Sequence, residues 1–181
     1  MSNTANKQKR EIEVLYSQSQ IAEAVKRLGE EITRDYEGLE PLFVGVLKGS
    51  FVFMADLIRA VDLPSRVDFI TAKSYGENTV SSGFVRIVND VEEVIEGRHV
   101  IVVEDILETG NTLSSVCEVL RSRNPASLKV CAFLDKEFNR KIQFYADYHC
   151  FTLEEDSFVI GYGLDYAERY RNLPYLGVLK D

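Results

Sequence analysis

Apolar residues recur along this chain in two rhythms. Ile21, Val25, Leu28 and Ile32 stand four, three and four residues apart, the repeat of one face of an α-helix. Ser17 with Gln20 three residues on has the pattern of a capping box, so the helix is predicted to start there. Gly38 and Pro41 punctuate its end. The second rhythm is the short, mostly apolar and β-rich run. Residues 42–47, 66–71, 84–88, 98–103, 128–134 and 158–162 have it and read as strands. Helical periods return at 51–61 and at 111–123, where Leu113, Val116, Val119 and Leu120 share a side. Residues 1–11 are polar and predict a loose start. Residues 73–83 hold two glycines, five hydroxyl residues and no apolar period, which predicts a long loop.

Apolar β-runs separated by helix-length segments indicate an α/β fold with a central, mainly parallel, twisted sheet flanked by helices. In such folds ligands bind beyond the carboxyl ends of the strands. The length, 181 residues, fits one domain over 1–181. Lys plus Arg number 21 against 29 Asp plus Glu, a net charge of −8. That balance speaks against a nucleic-acid partner, whose footprint is basic. No apolar run is long enough for a membrane span and none follows the N-terminus as a signal would, so a cytoplasmic protein is expected. Cys117, Cys131 and Cys150 are odd in number and lack CxxC spacing, against a disulfide framework or a cysteine zinc site.

The most informative stretch follows the strand at 98–103. Glu104 and Asp105 are adjacent, Glu108 comes three residues later, and Thr109-Gly110-Asn111-Thr112 leads into a helix. Backbone N–H groups at a helix N-terminus lack intrahelical partners and bind phosphate. Gly110 permits close backbone approach. A phosphate cradle beside paired carboxylates suits a phosphorylated sugar, with the acids accepting from vicinal hydroxyls. A response-regulator-like acidic pocket would also place acids at a strand end, but it leaves residues 109–112 without a purpose. An ordinary helix cap is the plainest alternative.

This segment resembles the phosphoribosyl-pyrophosphate (PRPP) loop of the type I phosphoribosyltransferases, and its flanks resemble the hypoxanthine-guanine branch. The resemblance covers about residues 12 to 180. It implies that family's fold, with a small hood formed by the N- and C-terminal segments, and transfer of the 5-phosphoribosyl group from PRPP to N9 of a 6-oxopurine with Mg²⁺. Homodimers or homotetramers are implied too. Glu104, Asp105, Leu107, Thr109, Gly110, Asn111 and Thr112 would hold the ribose phosphate. Lys48, Gly49 and Arg171 would meet pyrophosphate; Lys48 precedes Gly49, so this is not a Walker A loop. The resemblance also raises a cis peptide before Lys48. Ser74 and Tyr75 would belong to a mobile catalytic loop. Lys136 would donate to the purine 6-oxo group, Phe158 would stack on the ring, and Val159 would offer main-chain contacts. Glu104, Asp105 and Asp165 would face Mg²⁺. Glu108 would serve as the acid or base at N7.

Two departures stand out. The family usually has aspartate where Glu108 stands. The segment 149–157, His-Cys-Phe-Thr-Leu-Glu-Glu-Asp-Ser, lacks the family's Gly and Pro and is one residue longer. Together they raise a PRPP- or nucleotide-binding regulator as an alternative to an enzyme. The second opens the base preference among hypoxanthine, guanine and xanthine. The run Glu154-Glu155-Asp156 reads as a solvated loop. His99 and His149 read as structural, and Tyr162, Tyr166, Tyr170 and Tyr175 as packing residues.

Overall fold

A computed structural model describes residues 11–75 and 84–180. The loose start expected at 1–11, except for its last residue, and most of the loop expected at 73–83 lie outside the described residues.

The first helix, α1 (Gln18–Asp35), begins where the capping box places it. The Ser17 hydroxyl accepts from the Gln20 amide at 3.3 Å, and Gln20 Oε1 accepts from the Ser17 amide at 2.9 Å. Two otherwise unpaired helix-start donors are thereby satisfied. Ile21, Val25, Leu28 and Ile32 are buried. Just before it runs β1 (Ile12–Tyr16), a strand the periodicity did not reveal. Then come β2 (Leu42–Leu47), α2 (Phe51–Ala60), β3 (Arg66–Tyr75), β4 (Phe84–Asn89), β5 (His99–Leu107), α3 (Asn111–Arg121) and β6 (Ser127–Lys136). The chain closes with β7 (Tyr148–Leu153), β8 (Val159–Ile160) and β9 (Leu176–Leu179). Residues 73–75, expected as the beginning of the loop, are strand instead and pair with β4. The strand expected at 158–162 is shorter, and β7 and β9 are additions.

Six strands form the main sheet in the order β4-β3-β2-β5-β6-β7. All neighbours are parallel except β3 and β4. Side chains alternate across a strand, and both faces are covered. Phe43, Ile101, Val103, Cys131 and Phe133 join the cluster containing α1 and α2 residues. Leu42, Val44, Val100, Val102, Val130 and Ala132 join Leu113, Val116 and Leu120 of α3. A second, antiparallel sheet has the order β1-β9-β8, uniting the start of the described chain with its end.

The strand order fixes where a ligand belongs. From β2 the chain steps to β3 and β4 on one side, then returns to β5 on the other. The crevice between the β2 and β5 ends is the topological switch point, the ordinary binding place of such sheets. The segments leaving these strands are Lys48-Gly49-Ser50 and Glu108-Thr109-Gly110.

Candidate active site

The acids expected beyond a strand lie within one. β5 runs to Leu107, with Glu104 opposite Ala132 and Ile106 opposite Leu134 of β6. Glu104 and Asp105 are consequently buried, at 8% and 9% exposure. Glu104 Oε1 accepts from the Asp105 amide at 3.2 Å. Burial, and then the neighbouring Asp105 carboxylate, push the Glu104 carboxyl well above its ordinary range. Two adjacent buried carboxyls repel each other when both are ionised, and such a pair can accept from hydroxyls or meet a metal.

Backbone closeness builds the floor under this pair. A Cβ added to Gly49 would lie 1.6 Å from Asp105 Oδ2, and one added to Gly163 would lie 2.2 Å from the Gly49 carbonyl oxygen. The peptide at Leu47–Lys48 is cis, as the resemblance implied. Gly49 is thus pressed between Asp105 and Gly163, and a side chain at either glycine would break the stack.

Past β5 the chain turns through Gly110, at φ +85°, into α3. A cavity of about 250 Å³ is lined there by Glu104, Asp105, Leu107, Glu108, Thr109 and Thr112, among others. The Asn111 amide donates to Thr109 Oγ1 at 3.4 Å, a long bond that a phosphate oxygen can replace. Arg140 underpins the loop from below, its Nε donating to the Glu108 carbonyl at 2.9 Å and one terminal nitrogen to the Leu107 carbonyl at 3.3 Å. That guanidinium also contacts the buried Asp135 carboxylate and the Phe144 carbonyl. Sequence reasoning missed Arg140.

Lys136 ends β6 and is buried, at 5% exposure. Its ammonium donates to Glu108 Oε1 at 2.9 Å and to the Ser157 carbonyl at 3.3 Å, and it pairs with Asp156 Oδ1 at 2.9 Å. Asp156 is therefore no member of a merely solvated run, because β7 and its following loop carry it back over β6. Burial alone would raise the Glu108 carboxyl, but hydrogen bonds from Lys136 and Asn139 outweigh that and hold it below its ordinary value. Burial would likewise lower Lys136, but Glu108 and Asp156 hold it above. Phe158 is 54% exposed and stands edge-on to Tyr166, ring centres 5.6 Å apart. Val159 is buried and pairs with Val178 of β9.

The expected pyrophosphate cations are also together. Lys48 Nζ lies 3.2 Å from Glu168 Oε2, and an Arg171 terminal nitrogen lies 3.4 Å from the same oxygen and 2.7 Å from Asp165 Oδ1. Arg171 also donates to the Gly163 carbonyl at 2.7 Å. Glu168, absent from the sequence-based site, occupies both cations at once. Ser74 and Tyr75 end β3, opposite Val85 and Phe84. Tyr162, read as packing, is buried with its hydroxyl on Asp56 at 2.6 Å.

No cluster of three or more His, Cys, Asp or Glu side chains among the described residues could hold a metal by itself. A hydrated divalent cation asks for less, one or two carboxylates plus substrate oxygens. The adjacent, buried Glu104 and Asp105 carboxyls are a donor set of that size. Among the described residues no helix is long and apolar enough to cross a membrane.

Comparison with known proteins adds a common description to this arrangement. The phosphoribosyl transferase domain family matches residues 11–167. A hypoxanthine-guanine phosphoribosyltransferase of Bacillus subtilis is 50% identical over 167 residues, 92% of each chain. One from Streptococcus pneumoniae is 49% identical over 168 residues, 93% of each. The crystal structure of a hypoxanthine phosphoribosyltransferase from Staphylococcus aureus superposes with a TM-score of 0.89 at 46% identity, covering 93% of this chain and 91% of that one.

Proposed function

This chain belongs to the phosphoribosyl transferase family, in its hypoxanthine-guanine branch, and on that premise we propose a reaction and a role for each site residue. The protein is a purine-salvage transferase. It moves the 5-phosphoribosyl group of PRPP to N9 of a 6-oxopurine, giving IMP or GMP and pyrophosphate. The observation that carries this reading is the convergence at one sheet end of the β5 acids, the Gly110 cradle, Lys136 and the cations Lys48 and Arg171.

The amides of residues 109–112 and the Thr109 and Thr112 hydroxyls take the 5′-phosphate at the start of α3, beside Leu107 and Asn111. Glu104 and Asp105 accept from the ribose hydroxyls. Lys48, Gly49 and Arg171 receive the pyrophosphate, the arginine by its planar fork. Lys136, a donor only, selects an oxo over an amino group at purine C6. Phe158 offers its exposed face to the ring and Val159 its backbone. Glu108 manages the proton at N7. Mg²⁺, held by Glu104, Asp105 and Asp165 directly or through water, would neutralise charge on pyrophosphate and orient the sugar. Ser74 and Tyr75 belong to the segment that shields the reacting carbon from water. The whole is one domain over 1–181, cytoplasmic and a homodimer or homotetramer, with the β1-β9-β8 sheet as a hood over the base.

Incubation with PRPP, Mg²⁺ and each of hypoxanthine, guanine and xanthine tests the reading. IMP and GMP are expected, and the xanthine rate measures how far the altered 149–157 segment has shifted base preference. Failure to form any nucleotide from all three would overturn it.

A further inference from the structure

At the base end of the site two donors and two acceptors form a closed ring. Lys136 Nζ meets Glu108 Oε1 and Asp156 Oδ1, each at 2.9 Å. Asn139 Nδ2 meets the same two oxygens, again each at 2.9 Å. Both neighbours of the amide are carboxylate oxygens, so it must present its NH₂ group. Asn139 sits on the single 3₁₀ turn after β6, and Asp156 on the loop after β7. Nothing in the chemistry assigned so far uses either residue.

Resting on the functional reading above, we propose that Asn139 and Asp156 are positioning residues: they hold Glu108 and Lys136 in place when a 6-oxopurine separates them. An ammonium has three N–H bonds. Lys136 spends them on Glu108, Asp156 and the Ser157 carbonyl. A purine oxygen can bind only by displacing one acceptor. Glu108 is the one with work elsewhere, because O6 and N7 lie side by side on the same purine edge. As the oxygen takes its place on Lys136, the Glu108 carboxylate needs only a short move to reach N7.

That exchange leaves two groups exposed to error. Glu108 has one rotor more than aspartate and, without Lys136, loses its direction; Asn139 keeps hold of it. Lys136 is buried, and a buried ammonium facing only neutral oxygens is costly; Asp156 remains its counter-charge. Held so, Glu108 stays ionised and Lys136 protonated, in keeping with the directions of their shifts.

The two roles separate kinetically. Asn139→Ala should lower kcat about tenfold or more, through loss of its hydrogen bond to the Glu108 carboxylate, with the base KM within threefold because Asp156 keeps its pairing with Lys136. Asp156→Asn should raise the hypoxanthine KM about tenfold with kcat little changed, and Asp156→Glu should restore most of it. In a Glu108→Asp background the shorter acid no longer reaches Asn139, so adding Asn139→Ala should cost less than twofold. Thermal melting of each variant identifies any that simply fails to fold. In the ligand-free protein, the ¹⁵N-ammonium resonance of Lys136 should be sharp and should broaden in Asp156→Asn. Equal loss of kcat and KM for base and PRPP alike, or Asn139→Ala within twofold of wild type, overturns the proposal alone. A wild type that makes no nucleotide overturns the functional reading, and this proposal with it.

Discussion

Replacing Gly49 by alanine tests whether the glycine stack sets the site's geometry. The new methyl would lie 1.6 Å from Asp105 Oδ2. Carbon–oxygen contacts begin near ~3.3 Å, so the two must part by about 1.7 Å. Neither has room. Asp105 is buried where β5 still pairs with β6, and the Gly49 carbonyl lies so close to Gly163 that a Cβ there would come within 2.2 Å. Overpacking of this kind costs about 1–3 kcal/mol, which in a domain of this size lowers Tm by roughly 2–12 °C. The catalytic cost is larger, since a misplacement near 1 Å costs on the order of 100-fold in rate. Steady-state nucleotide formation with PRPP varied at saturating hypoxanthine should show kcat/KM for PRPP down by about two orders of magnitude. Differential scanning calorimetry supplies the Tm. A Gly49→Ala enzyme with kcat/KM within threefold of wild type and an unchanged Tm would refute the claim that Gly49 braces Asp105.

Other consequences are smaller or lie elsewhere. A Cβ at Gly29 would stand 2.5 Å from the Ala60 carbonyl oxygen, so Gly29→Ala should force α1 from α2 and cost about 1–3 kcal/mol in urea unfolding while kcat stays near wild type; an unchanged midpoint would show that the helices have slack. Glu168→Gln frees Lys48 and Arg171 from their shared carboxylate. Pyrophosphate affinity by calorimetry should then rise about two- to fivefold, and a fall would mean that Glu168 assists the anion instead. The Arg123 hydrogen bond first, and the Val91 amide after burial's opposing effect, hold the Asp90 carboxyl below its ordinary value. A depressed carboxyl stabilises the fold above its unfolded pKa and loses that contribution as pH falls through the folded one. Asp90→Asn should therefore cost about 0.5–1 kcal/mol at pH 7 for this partly exposed pair, and the gap to wild type should close as pH falls through the lowered Asp90 pKa; a gap that persists in acid excludes the ion pair as its source.

The parts of the fold legible in the chain were those whose signal is local. α1 was readable because Ser17 and Gln20 cap it and four apolar residues line one face. β2 and α3 were readable from unbroken or periodic apolar residues. β1, β7 and β9 were not, since they are short and interleave polar or small residues such as Glu13, His149 and Gly177. Their β character comes from pairing with distant segments, as Val14 does with Gly177. The end of β5 was misjudged for a related reason. Two acids in succession read as loop, yet pairing with β6 carries the strand through them. A polar pair buried inside a strand is unfavourable for folding, so its presence there was itself a sign of function. Asn139, Arg140, Asp156 and Glu168 were not singled out in the chain: the turn after β6 carries the first two, and the return of β7 and the C-terminal segment bring Asp156 and Glu168 to the site.

The same long-range pairing reconciles an acidic chain with an anionic substrate. A net charge of −8 would repel PRPP if it were spread evenly, but at contact distance local pairs outweigh the total. Here every basic group proposed to meet substrate already has an acid: Lys48 has Glu168, Arg171 has Asp165 and Glu168, and Lys136 has Glu108 and Asp156. Binding is then an exchange of one anion for another, not the neutralisation of bare cations, and the Coulombic gain from each basic side chain is reduced accordingly. At the start of α3 the Asn111 amide faces a neutral partner instead of an acid, Thr109 Oγ1 at 3.4 Å. The firmest hold on PRPP should therefore come from its 5′-phosphate, while the diphosphate rests on pairs that can close again behind it. That division suits a transferase, which must keep the ribosyl phosphate through the reaction and let pyrophosphate go.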